Sequence, residues 1–141
     1  MAKTIVQKVV FKNTSPDKIY NLYMNAKQHS LITGAPAKIS NKVGASFSAH
    51  GSYIKGKNLF LVKNELIVQT WRAESWNKDD QDSIFIIALE KKGNNIVLNA
   101  IHANVPKKEE ASLKKGWFDH YWNPMKDHLA GKEIKRVTSV K

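Results

Sequence analysis

WFDHYWNPMKDHL, residues 117–129, carries two Trp, a Phe, a Tyr, two His and a Pro in thirteen positions. On a helical repeat Trp117, Tyr121 and Met125 form one stripe, and Phe118, Trp122, Met125 and Leu129 form a second that overlaps it. A helix apolar over so much of its surface must lie against something equally apolar. Pro124 sits inside the stretch, where it removes one helical hydrogen bond and is expected to bend the helix. On the residues alone two readings stand: a kinked helix that closes the core, and a helix that walls a ligand site.

Upstream, the partner for that helix is legible. KTIVQKVVFK reads as a strand with charge interleaved among Val, Ile and Phe. The following segment opens a helix, with Ser15 placed to cap, Pro16 at the first helical position and Asp17 at the positive N-terminus. Ile19, Leu22, Tyr23 and Ala26 then fall on one apolar face. A second short helix, 26–32, is expected to end at Gly34.

From residue 36 the period changes to two. Strands are expected near 36–40, 44–50, 52–62, 65–74, 82–91 and 95–105, separated by SNKVG, HGS, VKNE, SWNKDDQD and KKGNN. Several of these gaps are short enough for hairpins, so the run is an antiparallel meander. The polar turn VPKKEE leads into the aromatic helix. The fold class is therefore α+β: one strand, two short helices, a meander, then a long C-terminal helix on the concave sheet face. A single domain is expected over 1–131, with a basic, frayed tail over 132–141.

Composition narrows the function classes. The 141 residues have a formal net charge of +11 and no Cys, which excludes disulfides, thiolate metal sites and Cys nucleophiles. Residues 1–70 hold ten Lys against two acids, whereas 71–141 hold thirteen basic residues against ten acids. Only Arg72 and Arg136 are Arg. Nucleic-acid readers use Arg for bidentate and stacked contacts, so a nucleic-acid partner is not expected. A Lys excess suits solubility or an acidic protein partner. No stretch approaches the roughly 18 apolar residues of a membrane span, and the N-terminus lacks a signal-peptide core. A cytoplasmic location is the expectation.

Catalytic and metal motifs are sparse. His120 and His128 share a helix face but stand about 12 Å apart along the axis, too far for one metal. His29, His50 and His102 are isolated in sequence. Asp79, Asp80 and Asp82 sit in a solvated hairpin loop, a poor place to raise a carboxyl pKa. There is no GxSxG elbow, SxxK pair, P-loop or dinucleotide fingerprint, and Gly51, Gly56 and Gly93 read as turn or bulge glycines. No metal, no cofactor and no catalytic residue is expected.

The order SPDKIYNLYMNAKQHSLITGAPAKISNKVGASFSAHGSYIKGKNL, IVQTWRAESW, NVP, GWFDHYWNPMKDHL resembles the activators of the 90-kDa heat-shock chaperone ATPase. The likeness is to their C-terminal domain and its stand-alone homologues, within the START-like (SRPBCC, helix-grip) superfamily, and spans about residues 3–130. It implies a curved antiparallel sheet of about six or seven strands gripping the C-terminal helix, with a cavity between them.

By resemblance, Phe47, Ile54, Trp71, Phe85, Ile87, Leu98 and His102 of the sheet and Trp117, Tyr121 and Met125 of the helix face that cavity. Tyr121 or His102 would orient a small apolar ligand. A histidine in the place of His102 is more often a core histidine bonded to a neighbour than a ligand-orienting group. The resemblance also implies a chaperone and stress-response context. The N-terminal domain that makes the main chaperone contact in two-domain activators is not matched by these residues. Independently of the family, Ile84, Ile86, Val97 and Ile101 fall on the opposite sheet face. There they are either covered by a neighbouring element or form an apolar strip that supports a homodimer.

Overall fold

Alternation along each strand decides which side chains meet the helices. In a computed structural model, which describes residues 2–135, β1 (Ala2–Phe11) turns Ile5, Val9 and Phe11 inward and leaves Val6, Lys8 and Val10 outside. Two helices follow, α1 (Pro16–Met24) and α2 (Ala26–Thr33). The meander comprises β2 (Ser46–Ala49), β3 (Ile54–Val62), β4 (Leu66–Ala73), β5 (Ser83–Lys92) and β6 (Asn95–Pro106). The sheet order is β1-β6-β5-β4-β3-β2 with every pair antiparallel. The helices carry the chain from one sheet edge to the other, and the meander returns to close on β1. This is the helix-grip architecture expected from the sequence.

Three expectations about local structure need correction. Ser15 occupies the α1 cap with extended backbone, yet its hydroxyl makes no capping bond. It hydrogen-bonds the Asp17 carboxylate instead and so holds that group below the usual carboxylate pKa. The strand expected at 36–40 is reduced to a single bridge, Lys38 with Ser48. Pro36 accepts from the Gly51 N–H but has none to return, so the ladder stops there. Ala26 begins α2 rather than continuing the α1 face, and α2 ends at Gly34 in the left-handed conformation.

The C-terminal helix is continuous but not uniform. After a 3-10 turn at Lys107–Glu109 come α3 (Glu110–Trp117), a π-helical turn at Phe118–Trp122 and α4 (Asn123–Leu129). Pro124 explains the turn. It lacks an N–H, and its ring would collide with the carbonyl four residues back. The Asn123 N–H correspondingly reaches back five residues, to the Phe118 carbonyl. The extra residue in that turn lets both Tyr121 and Trp122 bury beside Trp117. Of the expected tail, Lys132 donates to the Asp127 carbonyl and Ile134 packs on the core, while 136–141 lie outside the described residues.

The outer sheet face carries an apolar row in register across five strands: Val6–Ile101–Ile86–Val68–Phe60. Its ends are open, with Val6 71% and Phe60 54% exposed, while Ile84, Ile86 and Ile101 are half-buried and Val97 is buried.

Gly56 proves to be neither a turn nor a bulge glycine. It lies inside β3 opposite Phe47, where an added Cβ would stand 1.9 Å from the Thr70 carbonyl oxygen and 2.6 Å from the Phe47 ring. Gly56→Ala should therefore push β3 off β4 and cost at least about 2 kcal/mol. Chemical denaturation of the two proteins checks this; an unchanged midpoint would contradict the packing.

Candidate functional site

Most of the space between sheet and helix is filled. Trp117 stacks on Phe85, with ring centres 4.1 Å apart and planes 4° apart, and on Trp122 at 5.5 Å. Phe47, Phe85, Ile87, Leu98 and Met125 are buried in this core. They do not line the cavity that remains, and neither does His102. The cavity, about 750 Å³, lies at one end of the grip, between the C-terminal end of α2, the β2–β3 turn, the facing ends of β3 and β4, and the α3–α4 helix. Of the ten side chains expected to face a ligand, Ile54, Trp71, Trp117 and Tyr121 line it. The other six form the packed wall behind, because bulky aromatics occupy the space that a larger cavity would need.

His102 shows how that wall is wired. Its Nδ1 accepts from the Trp117 indole N–H at 3.1 Å, and its Nε2 lies 2.8 Å from Ser83 Oγ, which itself donates to the Trp71 carbonyl. With Nδ1 accepting and the Ser83 proton spent on a carbonyl, Nε2 must carry the hydrogen and donate to Ser83. Burial lowers the His102 pKa to about 3, so the ring stays neutral. A serine nucleophile needs the opposite arrangement, a histidine nitrogen free to take its proton. Ser83 and His102 are a structural pair.

A second chain of polar groups runs beside the cavity. His29 Nδ1 lies 2.8 Å from the Tyr23 carbonyl and must donate to it, so Nε2 accepts from the Tyr121 hydroxyl at 2.8 Å. The Tyr121 oxygen then accepts from His50 Nε2 at 3.1 Å. Burial lowers the His29 pKa to about 4 and raises those of Tyr121 and Tyr23. Tyr23 extends the chain to Gln69 and then Asn58, whose amide donates to the Ser40 and Lys42 carbonyls. His50 reaches Tyr121 from a left-handed backbone, φ 51°, at the head of the β2–β3 turn. Its ring stands 5.8 Å from that of His120, which also lines the cavity.

Sequence reasoning missed His29, His50, Tyr23 and Trp76. The two histidines meet Tyr121 across 92 and 71 residues of chain, so no spacing pattern could have paired them. Trp76 carried a signal, as the second aromatic of WRAESW, and it lines the cavity beside Trp71. Among the described residues no three His, Cys, Asp or Glu side chains cluster as metal ligands.

Residues 13–130 match the family described as Activator of Hsp90 ATPase homolog 1-like protein. The chain belongs to that family. It is 28% identical over 116 residues to an activator of 90 kDa heat shock protein ATPase homolog from Dictyostelium discoideum, a match covering 82% of this chain and 30% of that one. Homolog 1 from Homo sapiens is 26% identical over 113 residues, covering 80% and 33%. The chain thus spans about a third of the length of these curated relatives.

Among solved structures, an HSP90 activator from Plasmodium falciparum superposes with TM-score 0.81 at 23% identity, covering 94% of this chain and 99% of that one. An Aha1 dimer from Colwellia psychrerythraea gives 0.70 at 17% identity, covering 82% and 87%. These likenesses show the fold of the Hsp90-activator-like domain. No helix among the described residues is long and apolar enough to cross a membrane.

The two neutral, buried histidines make stability depend on pH. Both folded-state pKa values lie below the unfolded value of about 6.5, so the unfolded chain binds the extra protons as pH falls. Their stabilising contribution is complete above about pH 6.5 and is lost progressively toward pH 4 for His29 and pH 3 for His102. At pH 5 the loss should be about 2 kcal/mol from each. Urea midpoints between pH 7 and 4.5 should fall accordingly. His29→Gln should lower stability at pH 7 and remove about half of the slope.

Proposed function

We propose that this domain is a non-catalytic, cytoplasmic receptor that buries a small apolar molecule in the cavity at the end of its helix grip. The observation that carries this reading is the cavity itself. Its volume of about 750 Å³ falls within the usual size of small-molecule sites. Trp71, Trp76, Trp117 and Ile54 supply apolar walls, and His50, His120 and Tyr121 supply polar ones. Burial of ligand surface, at about 25 cal/mol per Å², supplies the affinity. Phe47, Phe85, Ile87, Leu98, His102 and Met125 hold the walls in place from behind.

The Tyr121 proton points to His29, so Tyr121 offers a ligand its oxygen lone pair rather than a donor. Gently purified protein should retain an apolar molecule visible by native mass spectrometry. Ile54→Trp should crowd the wall beside Trp71 and weaken retention with a folded-state spectrum intact. A clean unliganded mass, with Trp fluorescence indifferent to a panel of lipids and aromatics, would overturn the reading.

A second reading rests on the family: a co-chaperone module that contacts the 90-kDa heat-shock chaperone and stimulates its ATPase. Lys8, Lys55 and Lys57 share the outer sheet face with the apolar row ending at Val6 and Phe60. An apolar centre with a Lys rim fits an acidic protein surface. Such contact weakens with salt, since screening acts within about 8 Å at physiological ionic strength, whereas cavity binding does not. Phe60→Asp should abolish salt-sensitive ATPase stimulation and leave cavity binding unchanged. A homodimer through the same face is the competing occupant. Light scattering at high concentration distinguishes the two, with a dimer that Phe60→Asp dissociates as its signature.

A further inference from the structure

The four tryptophans differ in what their indole nitrogens meet. Trp117 Nε1 donates to His102, and Trp122 Nε1 donates to Gln7 Oε1 at 2.8 Å. Trp71 and Trp76 are as deeply placed, 5% and 6% exposed, with rings 5.7 Å apart. Yet among the described residues neither of their N–H groups has a hydrogen-bond acceptor. Neither nitrogen is sealed from solvent, so each indole N–H remains an open donor. Both side chains line the cavity, so the cavity is the space from which an acceptor can come.

The rim decides what kind of acceptor fits. Lys115 is held by Asp119 in an ion pair, whereas Glu109, also at the rim, forms no salt bridge among the described residues. The lining thus keeps an uncompensated carboxylate and no unpaired Lys or Arg. That disfavours a second anion and favours a neutral oxygen. The rest of the wall near Trp71 and Trp76 is apolar, with Ile54 and Ala73 beside them.

We propose that Trp71 and Trp76 form a paired N–H donor site, and that the cavity takes an apolar molecule bearing a neutral carbonyl oxygen, such as a ketone, ester or amide. This rests on the cavity reading above and adds the ligand class. The oxygen accepts one or both indole hydrogens while the apolar body lies against Ile54 and the edge of Trp117. A hydrocarbon of equal size fits the walls but leaves both donors unmet, and a carboxylate meets them but faces Glu109.

Three probes of one shape separate these cases: 2-acetylnaphthalene, 2-ethylnaphthalene and 2-naphthoate, titrated calorimetrically into the intact chain. The ketone should bind about tenfold more tightly than the hydrocarbon, the combined effect expected of one or two such bonds, and more tightly than the carboxylate. Trp71→Phe and Trp76→Phe keep a ring but remove the donor, so each should shrink the ketone-to-hydrocarbon affinity ratio several-fold, whatever the smaller ring costs both probes alike. If either variant fails to fold, the wild-type protein still decides. In its ¹⁵N spectrum two of the four indole N–H resonances should shift downfield with the ketone and not with the hydrocarbon. Equal binding of ketone and hydrocarbon, or indifference of those resonances to the ketone, would overturn the donor pair and leave the cavity reading standing. Binding of the carboxylate above the ketone would overturn the neutral-oxygen assignment. Failure of all three probes to bind would overturn the cavity reading and, with it, this inference.

Discussion

Trp117 is the point at which helix and sheet become one object. Its ring stacks on Phe85 of β5 and on Trp122 of its own helix, and its indole N–H ends on His102 of β6. His102 passes the constraint to Ser83, and Ser83 to the backbone of β4 at Trp71. One helical side chain therefore registers against three neighbouring strands. The donor–acceptor order leaves no freedom in the chain: the indole can only donate, the Trp71 carbonyl can only accept, and His102 must be neutral to do both. Burial enforces that neutrality, since an imidazolium there would have to be desolvated.

Tyr121, one turn on, makes the complementary attachment to the other side of the molecule. Its hydroxyl sits between His29 of α2 and His50 of the β2–β3 turn. The π turn makes this possible alongside the Trp117 contacts, since an unbroken α-helix would have turned either Tyr121 or Trp122 further from the core. Pro124 thus acts at a distance of a few residues. It forbids the ordinary hydrogen bond, the backbone widens upstream, and the widened turn places two aromatics where one would have fitted.

How much of this was written in the sequence depends on the range of the interaction. The order of elements, the hairpin turns and the Gly34 stop were legible because period, turn chemistry and capping are local properties. The strand at 36–40 misled because alternation alone does not reveal that Pro36 cannot continue a ladder. Gly56 misled for a different reason: its necessity comes from Phe47 and Thr70, on the strands either side. The site was half legible. Family resemblance placed Trp71, Trp117 and Tyr121 together, but it could not say that Phe85 and Trp122 use up the space around Trp117. That is a question of volume, and no residue pattern encodes volume. His29 and His50 were unreadable for the reason already visible in their separation from Tyr121.

The same strands serve two faces, and this organises what the domain can do. β4 turns Trp71 toward the cavity and Val68 toward the outer row, and β5 turns Phe85 inward and Ile86 outward. A period of two keeps the faces chemically independent, so a side chain can be changed on one without altering the surface of the other. They share backbone, however, and the shared segment includes the Trp71 carbonyl that anchors Ser83 and His102. Trp71 thus lies on the same strand as Val68, whose pairing carries the outer row to its exposed end at Phe60. The two proposed readings, small-molecule receptor and protein-binding module, would on this geometry use opposite sides of one sheet rather than compete for one surface.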